Sequence, residues 1–506
     1  MSETPNVSST TDISTTPSNS ELSSVPSWGN YPKAEPRDVE TLVWRQDQPT
    51  WTQADAPVLA YGMGRSYGDV CLNAGGRIMR TELLDHILYY DHQRGIIRVE
   101  AGLSIGALLD IIVPRGWFVP VTPGTQFVTI GGAVANDIHG KNHHRVGTFG
   151  RHVRAFELVR SDGSATLCTP LDNTELFAAT IGGLGLTGLI TWVEIQLIPI
   201  VSRYLKTESV KTRTLEEAAE LTAASDAAWD YTVTWINLTH PGRGLGRGLV
   251  HRGNFLDKHD RSLLEEPRRM KASVPFMMPP WLLNKATIST FNAGYYGKQR
   301  RRVSHHTVDF QPYFYPLDAI HNWNKLYGKR GMLQYQCVVP NGGSDDPHRG
   351  VRSIRKLLKT LQTAGASSFL AVIKIFGDLP SPGMLSFPRP GLTLSLDMPF
   401  SDLTIRALAK CDGIVLDEGG RIYPAKDARM SANTFRAMYP EAEKFAEYID
   451  PAFSSSFWRR VWQSPKDQTT GTSTGTSTGT STGTSTGTST GTSTGTSTGT
   501  STGTST

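Results

Sequence analysis

The chain has 506 residues, with 51 lysines and arginines against 46 aspartates and glutamates, a formal charge of +5. So mild an excess lacks the dense basic footprint of a nucleic-acid binder, and no nucleic-acid partner is expected. The four cysteines, Cys71, Cys168, Cys337 and Cys411, form no CxxC pair, which argues against a disulfide framework and a cysteine zinc site. No stretch has the length and apolarity of a membrane-spanning helix. The opening MSETPNVSSTTDISTTPSNS has neither a basic n-region nor an apolar h-region. The expectation is a cytoplasmic protein, with any membrane contact peripheral and at the inner face.

Residues 1–27 are rich in Ser, Thr and Pro and bury too little apolar surface to offset their ordering entropy, so they are expected to be disordered. APVLAYG reads as an apolar strand ending in glycines, and GIIRVEAG as another. SIGALLDIIVPRG reads as a helix stopped by Pro114 and Gly116. FELVRSDGSATLCTP reads as two strands joined at Asp162-Gly163. In TGLITWVEIQLIPI, Val193, Ile195 and Leu197 alternate with Trp192, Glu194 and Gln196, the period of a half-buried strand. Beyond Pro199 the texture changes: the helical TLEEAAELTAASDAAW mixes with the strands MLQYQCVVP and SSFLAVIKIFG. This predicts an α+β chain with a first domain over 28–200, a second over 201–465 that returns toward the first, and a GTST-repeat tail over 466–506.

The first strand runs into AYGMGRSYGDVCLNAGG, where Gly62, Gly64 and Gly68 let the backbone bend close to a ligand. Successive N–H groups in such a turn can make a nest for a pyrophosphate, and the alternative is simply a tight turn. The spacing is GxGxxxG, and SYGDVCLNAGG is too rich in Gly and Asn to open a helix, so a Rossmann fingerprint fails. A second stretch, TPGTQFVTIGGAVANDIHGKNHH, sets Gly124, Gly131, Gly132 and Gly140 among Ala133 and Ala135. Small residues in series let backbone lie flat against a large ligand. His143 and His144 are adjacent and no carboxylate or cysteine cluster stands beyond them at ligand spacing, so no metal site is expected.

GRSYGD, then PGT…TIGGAVANDIHGKNHH, then GGLGLTGLI over 182–190, taken in that order, resemble the PCMH-type flavin-binding domain of the vanillyl-alcohol-oxidase superfamily. Within it the chain resembles the decaprenylphosphoryl-β-D-ribose 2′-oxidases. That resemblance extends through QPYFYPLDAIHNWNKLYGKRGMLQYQCVVP, MLSFPRPGLTLSLDMPF and GGRIYPAKDARMSANTFRAMYP, over about residues 28–460. The fold it implies is α+β, a PCMH-type domain plus an antiparallel-sheet substrate domain.

The resemblance implies FAD with its pyrophosphate on Gly62, Met63, Gly64, Arg65, Ser66, Tyr67 and Gly68. Pro123, Gly124, Thr125, Gly131, Gly132, Ala135, Asn136, Ile138, His139, Gly140, Lys141, Asn142, Ile190 and Tyr423 complete the implied cofactor site, and Lys141, Asn142, His143 and His144 could together bind either the cofactor or an anionic substrate. Relatives that tether the flavin do so through a histidine where this chain has Arg65; a guanidinium cannot attack the flavin methyl group, so non-covalent FAD is expected. His139 falls beside the flavin, either as a hydrogen-bonded wall or with a part in the chemistry. Lys426, in YPAKDAR, matches a lysine placed beside flavin and substrate; the alternative is a buried ion pair with Asp397 or Asp427. Tyr67, Gln334, Gln336, Lys374 and Ser395 match the substrate pocket, where Lys374 meets either a phosphate or the flavin carbonyl edge. Trp235 is a further candidate for the pocket wall. The family has a cysteine where Ser395 stands, the target of its nitro-aromatic covalent inhibitors.

KASVPFMMPPWLLNKATISTF, over 271–291, gathers Phe276, Met277, Met278, Trp281, Leu282 and Leu283, and Lys298, Arg300, Arg301 and Arg302 come soon after. It reads either as a lipid-receiving loop with a basic edge or as core with a solvated basic loop behind it. The activity implied is oxidation of the 2′-hydroxyl of a polyprenylphosphoryl-β-D-ribose to the 2′-ketone, the first half of an epimerisation that makes the arabinose donor for cell-wall polymers. A separate NADH-dependent reductase would complete it. Two other readings stay open: a sugar or D-arabinono-1,4-lactone oxidase using oxygen, and a flavin-binding scaffold with little activity.

Overall fold

The computed structural model describes residues 25–47, 49, 56–258, 272–343 and 345–462. The GTST tail and most of the Ser/Thr-rich N-terminus lie outside them. The chain enters the fold earlier than the composition predicts: Val25 and Ser27 are buried, and the Trp28 N–H donates to the Ser66 carbonyl at 2.8 Å.

Two antiparallel sheets dominate. The first runs Ile87–Asp91, Ile96–Glu100, Leu189–Gln196, Val153–Val159, Ala165–Cys168 in spatial order. The hairpin at Asp162-Gly163 forms as read, with Val159 opposite Ala165. Val193, Ile195 and Leu197 are buried as their alternation requires. Trp192, on the face read as polar, is buried too, because the Arg98 guanidinium lies 4.3 Å above its ring. Beside this sheet, Ser104 caps the helix Ile105–Ile112 by accepting from Ala107 N, and Gly116 ends the next turn at φ 79°. A small parallel sheet of Asp38–Thr41, Arg77–Arg80 and Val58–Tyr61 carries the first glycine loop from its last strand.

The second sheet has eight strands in the order Val303–Asp309, Tyr204–Thr212, Gly248–Phe255, Tyr231–Ile236, Leu370–Phe376, Gly391–Pro399, Met332–Val339, Arg421–Ile422. All lie beyond Pro199, where the texture of the sequence changes. The helices Leu215–Ser225, Arg349–Thr363 and Asp402–Asp417 cover one face of this sheet. Ile354, Leu357, Leu358 and Leu361 are fully buried on one side of the middle helix, each contributing about 1.5–3 kcal/mol of transfer free energy. The other face is left to line a cavity.

The end of the described chain returns to the glycine loop. The turn Pro424–Lys426 comes after the last strand, and the Ala425 carbonyl accepts from Tyr67 N at 3.0 Å. The helix Ser456–Val461 brings Arg460 onto Asp69.

Candidate functional site

A cavity of about 410 Å³ lies between the glycine-rich segments and the open face of the eight-stranded sheet. Its floor is Gly62–Tyr67, Pro123–Thr125, Gly131, Gly132 and Ala135. Gly64 takes φ +60°, the left-handed region, and none of the backbone N–H groups of Met63, Gly64, Arg65 and Ser66 meets an acceptor among the described residues. Successive free N–H groups in this conformation form an anion nest. Gly124 leaves open space where a Cβ would stand.

Strand register builds the opposite wall. Gln336 pairs with Ser395 and Ser395 with Val372, while Gln334 pairs with Asp397. Side chains alternate across a strand, so Gln334, Gln336, Ser395, Lys374 and Trp235 share the cavity face. The Trp235 indole N–H donates to the Phe369 carbonyl at 3.1 Å.

His139 is buried where floor and wall meet. The Gln336 amide lies 2.9 Å from its Nε2 and also contacts Thr393 Oγ1. With the amide nitrogen donating, Nε2 accepts and the imidazole proton sits on Nδ1, an atom with no hydrogen-bond partner among the described residues. Burial, with Lys374, His143 and Lys426 adding repulsion, holds its pKa well below the usual histidine range. His139 thus lines the cavity with Nδ1 left without a partner among the described residues.

Lys426 lies over the Tyr67 ring at 4.1 Å. It makes no ion pair among the described residues: Asp427 is engaged by Arg460 at 2.9 Å, and Asp397 Oδ1 accepts from the Gln334 amide while Oδ2 has no partner. Burial moves the Lys426 ammonium below the ordinary lysine range and the Asp397 carboxyl above the ordinary carboxylate range, each opposed by the charge of the other. A group of this kind can lose or accept a proton near neutral pH.

Two residues expected at the cofactor do not line the cavity. Gly68 packs on the backbone, where a Cβ would stand 1.7 Å from the Asp427 carbonyl, so its smallness serves chain packing. Asn142 is buried and donates to the Pro120 carbonyl at 2.8 Å. His143 lies against Phe376 with ring centroids 4.5 Å apart, and His144 contacts the Trp229 carbonyl, so both stand behind the wall. The other expected cofactor and substrate positions all line the cavity. Sequence patterning missed Trp28, His251, Phe314, Asp318 and Trp323, which line it as well. His251 carried a signal in the alternation of LVHRGNF; the others come from turns and short segments with no period to read.

Ser395 faces the cavity, and Cys71 is the one cysteine among its described lining residues. Burial pushes the Cys71 thiol up to about 12, and a hydroxyl is a poorer nucleophile than a thiolate. Incubation with a nitro-aromatic electrophile is expected to leave the intact mass unchanged. An added mass mapping to Ser395 or Cys71 would refute this.

A family model described as an FAD binding domain matches residues 50–169. The chain is 36% identical to "Decaprenylphosphoryl-beta-D-ribose oxidase" of Mycolicibacterium smegmatis over 80% of its own length and 89% of the relative. It is 32% identical to "Uncharacterized protein in mprA 5'region" of Streptomyces coelicolor, over 71% of the chain and 100% of that protein. Similarity to "Putative D-arabinono-1,4-lactone oxidase" of Neurospora crassa is 26%, over 29% of this chain and 26% of the relative. The residues present fit FAD: the nest of four free N–H groups suits a pyrophosphate, and the glycine floor admits a flat ring system. The fold and this site define an FAD-dependent oxidoreductase with a PCMH-type FAD-binding domain. The chain belongs to the decaprenylphosphoryl-β-D-ribose oxidase family.

Proposed function

We propose that this chain oxidises the 2′-hydroxyl of a polyprenylphosphoryl-β-D-ribose to the 2′-ketone. The observation that carries the reading is Lys426, buried and without an ion pair among the described residues, facing the same cavity as Gln334, Gln336, Lys374 and Ser395. The name of the Mycolicibacterium relative supports the choice of sugar. FAD, when bound, supplies the acceptor for the hydride of the carbinol carbon. Lys426 takes the hydroxyl proton, and Asp397 tunes it. Gln334 and Gln336 hold the sugar hydroxyls, while His139, fixed by Gln336, walls the reacting face. Purified protein given the prenyl-phospho-ribose and an electron acceptor should yield a product lighter by two hydrogens, and a deuterium at C2′ should slow its formation. Recovery of unchanged substrate would overturn the reading.

Epimerisation then needs a reduction of the ketone. The reading assigns that step to a separate NADH-dependent reductase. An aldonolactone oxidase is the second reading, favoured by the Neurospora relative, whose likeness is confined to about a quarter of each chain.

FAD is held without a covalent bond. The Arg65 guanidinium lies 4.2 Å over Trp28 and 5.3 Å over Phe127, and its Nε donates to the Phe127 carbonyl. Acid precipitation should leave the yellow colour in the supernatant; colour retained in the pellet would refute the non-covalent assignment.

Contact with a membrane is peripheral. No described helix is long and apolar enough to cross one. Phe276, Trp281 and Phe291 are 61%, 70% and 53% exposed, which argues against reading this segment as core. Phe291 stacks on Tyr295, which reaches the cavity wall at Trp235. Arg300 and Arg301, a few positions further along the chain, are exposed, whereas Arg302 pairs with Glu217. Replacing Arg300 and Arg301 by glutamine should weaken binding to anionic vesicles by about 1 kcal/mol each. Unaltered co-sedimentation would remove the idea.

A further inference from the structure

Two residues along the strands from the Gln336–Ser395 row, the cavity face of the eight-stranded sheet carries a second polar row. Thr393 pairs with Lys374. Val233 stands one position beyond the Thr234–Ile373 pair, and it pairs with His251. Adjacent strands are about 4.8 Å apart, so Lys374 and His251 stand roughly 10 Å from each other across Val233. Lys141 enters this interval from the floor. Its carbonyl accepts from Thr232 N at 2.9 Å, and its ammonium donates to the Tyr313 carbonyl and lies 4.6 Å over the Tyr313 ring. All three side chains line the cavity.

The group lacks a counter-charge. Among the described residues neither Lys374 nor Lys141 forms an ion pair, and the Lys374 ammonium makes no hydrogen bond. His251 Nε2 is buried without a partner. Burial brings Lys374 down to about 8 and, with Lys374 beside it, Lys141 down to about 7; no carboxylate opposes either shift. The charged and titratable neighbours are themselves basic: His143, His139 and Lys426 repel or are repelled by Lys374, and Lys141 depresses His251. Asp397 acts on Lys426. Cations buried together without a carboxylate are costly unless an anion completes the site.

We infer that Lys374, Lys141 and His251 form an anion subsite that receives the substrate's phosphodiester, separate from the glycine-loop nest that suits the cofactor's pyrophosphate. The assignment of the anion to the substrate rests on the oxidase reading above. A phosphodiester brings one full negative charge and strong acceptor oxygens, which two ammonium groups and an imidazole N–H satisfy.

The test uses holoenzyme and two calorimetric ligands, geranyl phosphate and geraniol. Wild type should bind the phosphate at least ten-fold more tightly than the alcohol. Lys374→Gln should erase that margin while the affinity for geraniol and the FAD content per chain stay unchanged; Lys374→Arg should keep most of it. A margin that survives Lys374→Gln overturns the proposal. So does loss of FAD from Lys374→Gln with the margin intact, which would give the lysine to the cofactor. If Lys374→Gln does not fold, the margin in wild type is measured against pH. It should shrink as pH rises through about 8, where Lys374 sheds its proton, and a margin that persists well above that pH refutes the subsite. Failure of the oxidase reading shows separately, as phosphate-dependent binding without any sugar oxidation.

Discussion

Replacing Lys426 by methionine is expected to lower the rate of flavin reduction by substrate about 10²–10⁴-fold while leaving FAD bound. Oxidising a secondary alcohol removes a hydride from carbon and a proton from oxygen, and the proton needs an acceptor within reach. Lys426 is suited to that step because it is buried over Tyr67 and has no ion-pair partner among the described residues. Its ammonium is held below the ordinary lysine range, first by burial and further by Lys374, with Asp397 opposing. At low pH the lysine is charged and cannot take the proton, so the wild-type reduction rate should climb as pH rises, with its midpoint below the ordinary lysine pKa. In Lys426→Met that limb should vanish. Stopped-flow reduction under anaerobic conditions reads both quantities. Unchanged kinetics with full FAD would leave Lys426 as packing, and the proton would have to leave by another route.

Arg460→Leu is expected to destabilise the folded chain by about 3–5 kcal/mol, toward the lower end because the guanidinium keeps partial exposure. Arg460 holds Asp69 through two hydrogen bonds of 2.8 and 2.7 Å and Asp427 through a third of 2.9 Å. Both carboxylates are almost fully buried, and the leucine would leave them without this counter-charge. The effect should reach the site, since Asp69 borders the glycine loop and Asp427 is the next residue after Lys426. Denaturant unfolding of the holoenzyme measures the loss, and FAD retention should fall alongside it. Wild-type stability in Arg460→Leu would show that other groups, such as Arg429, carry the charge balance.

Arg460 also marks a limit on what the sequence discloses. Its partner Asp69 lies 391 positions away, and neither residue stands in a pattern that links them. By contrast, Val193, Ile195 and Leu197 were legible as core because alternation is a local property of the strand. The glycine loop alone also suits a tight turn; it became legible only through the three glycine-rich motifs taken in order. Spacing could not distinguish the glycines: Gly64 adopts the left-handed conformation of the nest, whereas Gly68 only makes room for the Asp427 carbonyl. Asn142 looked like its neighbours His139 and Lys141 but turns inward to Pro120. Gln334 and Gln336 could be set on one strand face from sequence; that they share it with Lys374, and that Lys374 lies in a row with His251, required the strand order.

If a prenyl-phospho-sugar delivers electrons to the flavin of this chain, the most direct measurement is anaerobic bleaching of the bound flavin on adding a polyprenylphosphoryl ribose, with an aldonolactone in parallel. Fast bleaching by the phospho-sugar and none by the lactone is the predicted result. Bleaching by the lactone alone would contradict it and make the chain a soluble-sugar oxidase.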